Sequence, residues 1–553
     1  MIRSSMTCRS DETMERDKAE PEGQKNKLQK TVHVLTWIFF VPFTVAVFLV
    51  LEVSFCTTVY YDLYQESDLP RFGRENVPLL VLLMLCVLAA LYFLWNRQKS
   101  RATAVPVSGK KCPLSRTMKI ALLWAGVVSL YMILMVRGLA TNDALRLDQI
   151  VNQFMQGDFT EVTNPGGYLF VYPFQIGYVA AGQLLYALFG ASNYMVYQLL
   201  NLAAILITIR MLYQITWELF EDHIVCNLMA MLSMGLLFLF VYSTFVYGDI
   251  WSLAPETAAL YLTIRYLKYH KVSDILWGGV LNGCAIVLKT NAYIALVAMV
   301  IILILDTFRS GENGKLSGKK VLQGIILAVL MVLISKGMTG VINTAYAGAI
   351  GINAMPKGVP SSTYFAMAMQ EGEGEGGWYD GYNVNTYNQS GYDWNAANQT
   401  ALAEIGHRLT EFSERPLHAG RFYVRKFLSQ WADPTCISMR ELELTSRHVE
   451  GQPAMMYSVI YGKGRIVFSW IMNVFQSIIY LGAAIYCIDV FRSKKLEFTQ
   501  AFLILFIFGG MLFHELWEGS SRYTMRYYIC LLPFAAAGLQ QFFMTIRVKP
   551  KIK

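Results

Sequence analysis

Long apolar segments recur along almost the whole chain and constrain its fold more than any other feature. A helix needs about 20 mostly apolar residues to cross a bilayer. Twelve segments approach that length, at 32–55, 77–95, 120–136, 174–189, 194–215, 224–247, 250–264, 275–305, 321–334, 466–488, 501–513 and 527–543. Only 16% of the residues are charged, whereas about 25% is usual in soluble domains. The sequence therefore predicts an all-α polytopic membrane protein with about 12–14 transmembrane helices.

Basic loops indicate how these helices are oriented. Residues 96–119 contain seven Lys and Arg and no acid, which is typical of a cytoplasmic loop. The net charge of +8 follows from such loops and does not indicate nucleic-acid binding. We therefore expect a plasma-membrane protein whose loops 138–172, 341–462 and 514–521 face outward. Residues 1–31 mix charges of both signs and are predicted to be a disordered cytoplasmic tail.

Segment 275–305 is too long for a single crossing. At ~1.5 Å per residue it would extend about 46 Å, against about 30 Å of hydrocarbon. Both flanks are basic, so we predict two short helices joined by an outward turn at Lys289-Thr290-Asn291. The number of passes is then thirteen, whereas two cytoplasmic termini require an even number. The sequence leaves this conflict open, and the doubt falls on residues 191–249.

The predicted domain layout follows from these segments. The tail precedes a membrane domain at 32–340, whose external loop 138–172 is the candidate catalytic loop. Residues 341–462 form a small external subdomain with helices at 401–412 and 417–431, and 463–553 contain the last membrane helices. Cysteines are scattered, and no disulfide framework is indicated.

Short polar motifs lie at the outer ends of several helices. Asp143 follows an early membrane helix, and a helical stretch ending in Gly157-Asp158 comes next. Gly167-Tyr168-Leu169 and Tyr172-Pro173-Phe174-Gln175 close this loop. The Lys289-Thr290-Asn291 turn and the late run from His514 to Tyr523, followed by Leu531-Leu532-Pro533, complete the set.

In their order, these motifs resemble the GT-C superfamily of polyprenyl-phosphate-sugar-dependent glycosyltransferases. The resemblance is nearest to bacterial membrane enzymes related to protein O-mannosyltransferases and the lipid A aminoarabinose transferase, and it spans about 120–543. It implies a GT-C-like fold and transfer of a sugar from a polyprenyl-phosphate carrier to an acceptor hydroxyl on the outer face. The enzyme would be a hexosyltransferase, of inverting type. Asp143 has no adjacent acid, unlike in some members, so the resemblance leaves metal dependence and the exact base open.

The resemblance implies roles for ten residues. A carboxylate takes the proton of the acceptor hydroxyl, and fixed cations stabilise the phosphate that leaves. The candidates are Asp143 and Asp148 for catalysis, Lys289, Arg522 and Arg526 for the donor phosphate, and Tyr172, Gln175, Asn291, Glu518 and Tyr523 for substrate binding.

Less specific readings stand beside these roles. External loops contain acids in any case, Lys289 could snorkel from a helix end, and Arg522 and Arg526 could pair only with Glu515 and Glu518. Asp249 and Glu256 remain unassigned.

Two other functions fit the same pattern. One is a lipid-linked glycan flippase or other transporter, and the second is a polymerase or ligase of surface polysaccharide. In each case the partners are a polyprenyl-phosphate-linked sugar, membrane lipids and a cell-surface glycan, lipid or protein. No cofactor is required by the sequence, and a divalent metal is left open.

Overall fold

The computed structural model describes residues 22–65, 68–102, 114–309 and 318–546. Almost all of this part of the chain is helical, and the two short strands in it form one hairpin. The predicted all-α polytopic fold is therefore confirmed.

A helical hairpin begins the described chain. It consists of α1 (Glu22–Cys56), β1 (Thr57–Tyr60), β2 (Arg71–Arg74) and α2 (Val77–Ala102). The strands are antiparallel, with Thr57 opposite Arg74. Residues 22–31, expected in the disordered tail, instead extend α1, because the good helix formers Gln, Lys and Leu continue its first turns. The rest of that predicted tail, 1–21, lies outside the described residues.

Twelve helices follow up to residue 350. They are α3 (Arg116–Val136), α4 (Asn142–Met155), α5 (Thr160–Thr163), α6 (Tyr168–Val171), α7 (Ile176–Phe189), α8 (Tyr194–Phe220), α9 (His223–Ser233), α10 (Leu237–Val241), α11 (Gly248–Tyr269), α12 (Val272–Leu288), α13 (Tyr293–Arg309) and α14 (Gly318–Ile350).

Ten more complete the described chain. They are α15 (Ser361–Met367), α16 (Tyr382–Gln389), α17 (Trp394–Glu414), α18 (Pro416–Trp431), α19 (Ser438–Ser446), α20 (Ala454–Tyr461), α21 (Lys463–Ser493), α22 (Phe498–Leu516), α23 (Ser521–Tyr528) and α24 (Leu532–Ile546). The predicted helices 401–412 and 417–431 are confirmed as parts of α17 and α18.

The number of crossings can be derived from helix length and position. Among the described residues, nine helices are long and apolar enough to span a membrane, and the bent pair α9–α10 makes a tenth. Helix α12 is shorter, at 17 residues, and α11 lies between the bent pair and α12; we infer that both also cross, which makes twelve. Twelve is even, as two termini on one side require.

The sequence predicts thirteen passes, one more than an even number allows. The predicted pass that does not cross is α7, and it is not a stretch within 191–249. Helix α7 lies along α4, where Gly182 packs against Val151. The turn after α7 also contacts α4, because Ser192 Oγ donates to Asp148 Oδ2 at 2.7 Å. Both ends of α7 therefore stay on the side where α4 lies. Apolar composition alone could not distinguish such a helix from a short span.

The predicted break in segment 275–305 is present. Helix α12 ends at Leu288, Lys289 is extended (φ −155°, ψ 119°), and a 3₁₀ turn at Thr290–Ala292 leads into α13. Gly177 packs on this end of α12, where an added Cβ would lie 2.1 Å from the Val287 carbonyl oxygen. Only glycine permits this approach, which brings the start of α7 to the Lys289 turn.

Helix α14 moves one predicted boundary. The subdomain was expected to begin at residue 341, yet α14 continues to Ile350. Its second half carries Lys336, Gly337, Gly340 and Gly348, so the hydropathy falls although the helix does not end.

Four segments meet on one side of the membrane domain, called here the loop face: 57–76 without 66 and 67, 137–193, 351–462 and 517–520. Leu139 N donates to the Thr445 carbonyl at 2.9 Å, and Val359 N donates to the Val171 carbonyl at 3.0 Å. Gly519 N donates to the Gly377 carbonyl at 2.8 Å. These backbone contacts join the loops into one layer above the helix ends.

Candidate active site

The candidate site lies where helix ends meet the loop face. Asp143 and Asp249 stand in the first turns of α4 and α11, Lys289 follows the last residue of α12, and Arg522 begins α23. The structure brings these four residues together around the ring of Tyr247.

Lys289 has a buried anion as its partner. Its Nζ lies 3.0 Å from Asp249 Oδ2, and the two side chains are 8% and 0% exposed. The ammonium also lies over the rings of Tyr247, at 4.3 Å, and Tyr523, at 5.4 Å. An ammonium enclosed in this way is not snorkelling to solvent. The sequence assigns no role to Asp249. Its only local signal is an acid in a first helical turn beside aromatic residues.

Arg522 is the most accessible cation of the group. Its Nη1 donates to Glu441 Oε1 at 2.7 Å, and the side chain is 17% exposed. The guanidinium lies over Phe245, Tyr247 and Tyr523 at 5.5–5.7 Å. Its Nε is buried and has no hydrogen-bond partner within the described ranges. The exposed part of the guanidinium is therefore what an anionic ligand can reach, while Glu441 holds one end of the group.

Arg526 lies too deep for the role proposed from the sequence. Its Nη1 donates to Glu256 Oε2 at 2.7 Å, its Nη2 donates to Ser252 at 3.2 Å, and the side chain is 1% exposed. The sequence also allows Arg522 and Arg526 to pair only with Glu515 and Glu518. Among the described residues, neither arginine forms an ion pair with either of those glutamates. Their partners are Glu441 and Glu256, from other parts of the chain.

Asp143 is an exposed carboxylate at the start of α4. It lies beside Tyr168, whose phenol pKa is raised well above its usual value, first by burial and then by the Asp143 charge. An exposed carboxylate beside paired cations can accept a proton from a substrate hydroxyl.

Asp148 belongs to a different place. It is buried, and Oδ2 accepts hydrogen bonds from Ser192 at 2.7 Å and Tyr194 at 2.9 Å. These bonds hold the turn between α7 and α8 on α4. Five residues of helix rotate Asp148 away from the face of Asp143, so the structure does not support it as a second base.

Glu518 occupies the loop between α22 and α23. Burial raises its carboxyl pKa to about 7, and Arg522 opposes that rise. Tyr523 OH donates to Glu518 Oε1 at 3.3 Å. Asn291 is half-buried on the Lys289 turn. These three predicted residues therefore lie at or next to the cation pairs.

Gln175 and Tyr172 form the wall nearest α7. Gln175 Nε2 donates to Tyr247 OH at 2.5 Å, and the side chain is buried. The ring of Tyr172 packs against Tyr168 and Phe174. Both lie near the candidate site, as the sequence predicts, with Gln175 orienting the central ring.

One face of α18 holds the loop that carries Glu518, and sequence reasoning missed it. Lys426 is fully buried, and its Nζ donates to the carbonyls of Ala368, Glu515 and Trp517 at 2.8–2.9 Å. Seven residues on, Asp433 Oδ2 accepts from Ser521 Oγ at 2.6 Å. In the sequence, Lys426 lies in the predicted helix 417–431 and Asp433 lies just beyond its end, seven residues further on. Charged residues at this spacing on one face were the available signal.

Within the described part of the chain, the carboxylates at the site do not form a group of three spaced to hold a metal ion. Among the residues described, those with suitable spacing are Glu371, Glu411 and His418 in the 351–462 region. There Arg408 already donates to both glutamates, at 3.0 Å and 2.5 Å. A cation would have to displace that arginine, so these residues fit a metal poorly.

Part of this chain is similar to a known protein family. Residues 173–335 match the family described as dolichyl-phosphate-mannose-protein mannosyltransferase, and the stretch includes Gln175, Asp249, Glu256 and Lys289. The match confirms the predicted resemblance to GT-C membrane glycosyltransferases and supports a glycosyltransferase as the class of protein. No curated protein has a significantly similar sequence.

The solved structures that match this chain share little sequence with it. The oligosaccharyltransferase of Archaeoglobus fulgidus in its apo form is 13% identical, with 78% of this chain and 51% of that chain covered and a TM-score of 0.40. The same organism's AglB, in complex with an inhibitory peptide and a dolichol-phosphate, is 13% identical, with 79% and 53% covered and a TM-score of 0.36.

A third structure, ArnT from Cupriavidus metallidurans bound to undecaprenyl phosphate, is 14% identical, with 79% and 80% covered and a TM-score of 0.29. This chain spans about half the length of the two archaeal chains. Likeness of this degree says nothing about substrates or catalytic residues.

Proposed function

We propose that this protein transfers a sugar from a polyprenyl-phosphate carrier to an acceptor hydroxyl at the outer surface of the plasma membrane. The observation that carries the proposal is the exposed carboxylate of Asp143 on the same face as two cations at membrane level, Lys289 and Arg522. A charged side chain at this depth is costly and is usually functional. The basic loops of the opposite face support the outward orientation.

In the proposed reaction, Asp143, Arg522 and Lys289 each have one role. Asp143 takes the proton of the acceptor hydroxyl, and the acceptor oxygen attacks the anomeric carbon of the sugar. The bond from that carbon to the phosphate oxygen breaks, and the carrier phosphate leaves with the electron pair and an added negative charge. Arg522, with Lys289 beside it, stabilises that charge. Attack from the side opposite the phosphate inverts the anomeric centre.

The acceptor is a glycan, lipid or protein of the cell surface that presents a free hydroxyl. The charge of the leaving phosphate is offset by the protein's cations, so the proposed mechanism needs no metal. Tyr172, Gln175, Asn291, Glu518 and Tyr523 line the space for the sugar.

The test is a matched pair of substitutions in purified full-length protein. Asp143→Asn should reduce transfer about 10²–10⁴-fold, the usual contribution of a general base, with membrane insertion unchanged. Asp148→Asn should retain transfer, because that carboxylate bonds only the turn after α7. The assay supplies a panel of polyprenyl-phosphate sugars and measures release of the carrier phosphate. Full activity in Asp143→Asn would exclude it as the base, and movement of donor across the bilayer without product would favour a transporter.

A further inference from the structure

A short loop between α15 and α16 carries an aromatic ring to the edge of the candidate site. Tyr379 is 52% exposed and directly follows Trp378, which pairs with Gly519 in an isolated parallel bridge. Because Glu518 is next to Gly519, this bridge sets Tyr379 beside the loop that holds Glu518. The function proposed above assigns no role to this residue.

The backbone around Tyr379 is held in place. Trp378 Nε1 donates to Ser429 Oγ at 2.8 Å, and both side chains are buried. Gly377 has φ +74°, and an added Cβ there would lie 2.4 Å from the Ala368 carbonyl oxygen. The loop is therefore fixed on α18 at its base while the Tyr379 ring stays open to solvent.

The surroundings of the ring are rich in phenols and carboxylates. Tyr379 interacts with the Tyr172 side chain and with the charges of Glu518, Asp143 and Asp380. Behind them, Tyr364 stacks on Trp517 with centroids 4.6 Å apart and planes 11° apart.

A buried amide completes this environment. Asn383 is 1% exposed and lies beside Tyr364. Its amide lies within hydrogen-bonding reach of the Tyr364 phenol, so this wall of the environment is polar.

We infer that Tyr379, with Tyr172, Asp380 and Glu518, forms the acceptor subsite, and that the acceptor is a saccharide. This inference rests on the proposed function and narrows its acceptor to one chemical class. The open ring face of Tyr379 suits the C–H face of a pyranose, since aromatic faces carry partial negative charge. The carboxylates and phenols accept hydrogen bonds from several hydroxyl groups at once.

A saccharide offers several hydroxyl groups to the phenols and carboxylates around Tyr379, whereas a serine or threonine side chain offers one and an acyl chain offers none. Tyr379 also lies in the 351–462 region and not on a spanning helix, so its ring is not an anchor at a lipid interface. Because the Asp143 charge acts on Tyr379, an acceptor sugar on this ring would lie near the proposed base.

The experiment measures binding apart from transfer. Full-length protein in nanodiscs is titrated with hexose oligosaccharides, with a serine- and threonine-containing peptide, and with phospholipid vesicles. Binding is followed by tryptophan fluorescence, because Trp378 and Trp517 flank the subsite. Tyr379→Ala should weaken oligosaccharide binding about tenfold, as expected for loss of one aromatic contact, and Tyr379→Phe should keep it.

Tyr457→Ala is the matched control, since Tyr457 is 57% exposed in the same region but packs against Tyr461 in α20. Oligosaccharide binding that is absent in the wild type, or unchanged in Tyr379→Ala, overturns the inference. Tyr379-dependent binding of the peptide or the vesicles instead overturns the saccharide assignment. Tyr379-dependent oligosaccharide binding without any Asp143-dependent transfer leaves the subsite standing and rejects the proposed reaction.

Discussion

At the scale of single residues, the cations of the candidate site differ in what they can still bind. Arg526 is enclosed by Glu256 and Ser252, and Lys289 by Asp249 and two aromatic rings. Arg522 keeps one side open and one donor unpaired. A carrier phosphate would therefore be held mainly by Arg522, with the other two cations tuning the field around it.

Replacing Arg522 tests this division of roles. Arg522→Lys keeps the charge but loses the planar pair of donors that matches a phosphate. We expect kcat/KM for the lipid-linked donor to fall about 10²-fold, the range seen when one fixed donor is removed from a transition state. Arg526→Lys, assayed by the same initial rates, should mainly lower thermal stability. Equal activity losses in the two variants would contradict the assignment.

The acids beside Arg522 predict a pH dependence. Burial raises the carboxyl pKa of Glu441 to about 7, and that of Glu518 to the same range, with Arg522 opposing both shifts. Below pH 7 these acids become neutral and leave Arg522 to the donor phosphate. Above pH 7 both are charged and compete for it. The KM for donor should therefore rise from pH 6 to pH 8.

Steady-state kinetics over that range would check the sign. Glu441→Gln should flatten much of the rise, since the amide cannot become charged, whereas Glu411→Gln, far from Arg522 in α17, should leave the profile unchanged. A KM that falls with rising pH in the wild type would refute the competition.

At the scale of elements, helix α18 acts as a support for the loop that joins α22 to α23. Its buried polar face carries Lys426 and Gln430 at i and i+4, and Gln430 Oε1 accepts from Ser520 N at 3.3 Å. Tyr61 from the β-hairpin adds a hydrogen bond to Ser521 at 2.9 Å. The positions of Glu518 and Arg522 thus depend on elements that carry none of the proposed substrate-binding residues.

Lys426→Met tests this support. The substitution leaves three carbonyls without their donor, each worth about 1–3 kcal/mol when buried. We expect a marked loss of thermal stability in detergent, and a fall in kcat larger than any change in donor KM, because the loop shifts as a unit. Lys463→Met, an exposed lysine at the start of α21, should change neither quantity. An unaltered kcat in a folded Lys426→Met protein would show that the loop holds itself.

Elements that the sequence predicts well are those with a local signal. The break at Lys289 and the helices α17 and α18 follow from polar interruptions and apolar periodicity. The pairs Lys289–Asp249 and Arg522–Glu441 could not be predicted, because their members are 40 and 81 residues apart and belong to different elements. Asp148 was expected near the face of Asp143, whereas five residues of helix and its bonds to Ser192 and Tyr194 place it elsewhere.

At the scale of the whole molecule, twelve crossings put every loop of the site on one side. The result depends on α7 lying along α4 instead of crossing. Sequence hydropathy treats the two cases alike, whereas the bonds from Ser192 and Tyr194 to Asp148 distinguish them.

Cysteine labelling measures this arrangement directly. Asn164→Cys and Ala191→Cys, at exposed positions before and after α7, should react with an impermeant maleimide from the same side. Ser493→Cys, at the end of α21, should react only after the membrane is opened. The background should lack the exposed native Cys56 and Cys86. Labelling of Asn164→Cys and Ala191→Cys from opposite sides would make α7 a true span.

The ion pairs Lys289–Asp249 and Arg522–Glu441, around Tyr247, also bear on which ligands the site would exclude. A bilayer offers an immense excess of ordinary phospholipid phosphates at the level of Arg522 and Lys289. Because each cation already has a carboxylate partner, a phosphate alone gains little by replacing it. A ligand that also engages the sugar-facing residues can outcompete the internal partner. Under the proposed function, the paired charges would therefore keep the empty site from filling with bulk lipid.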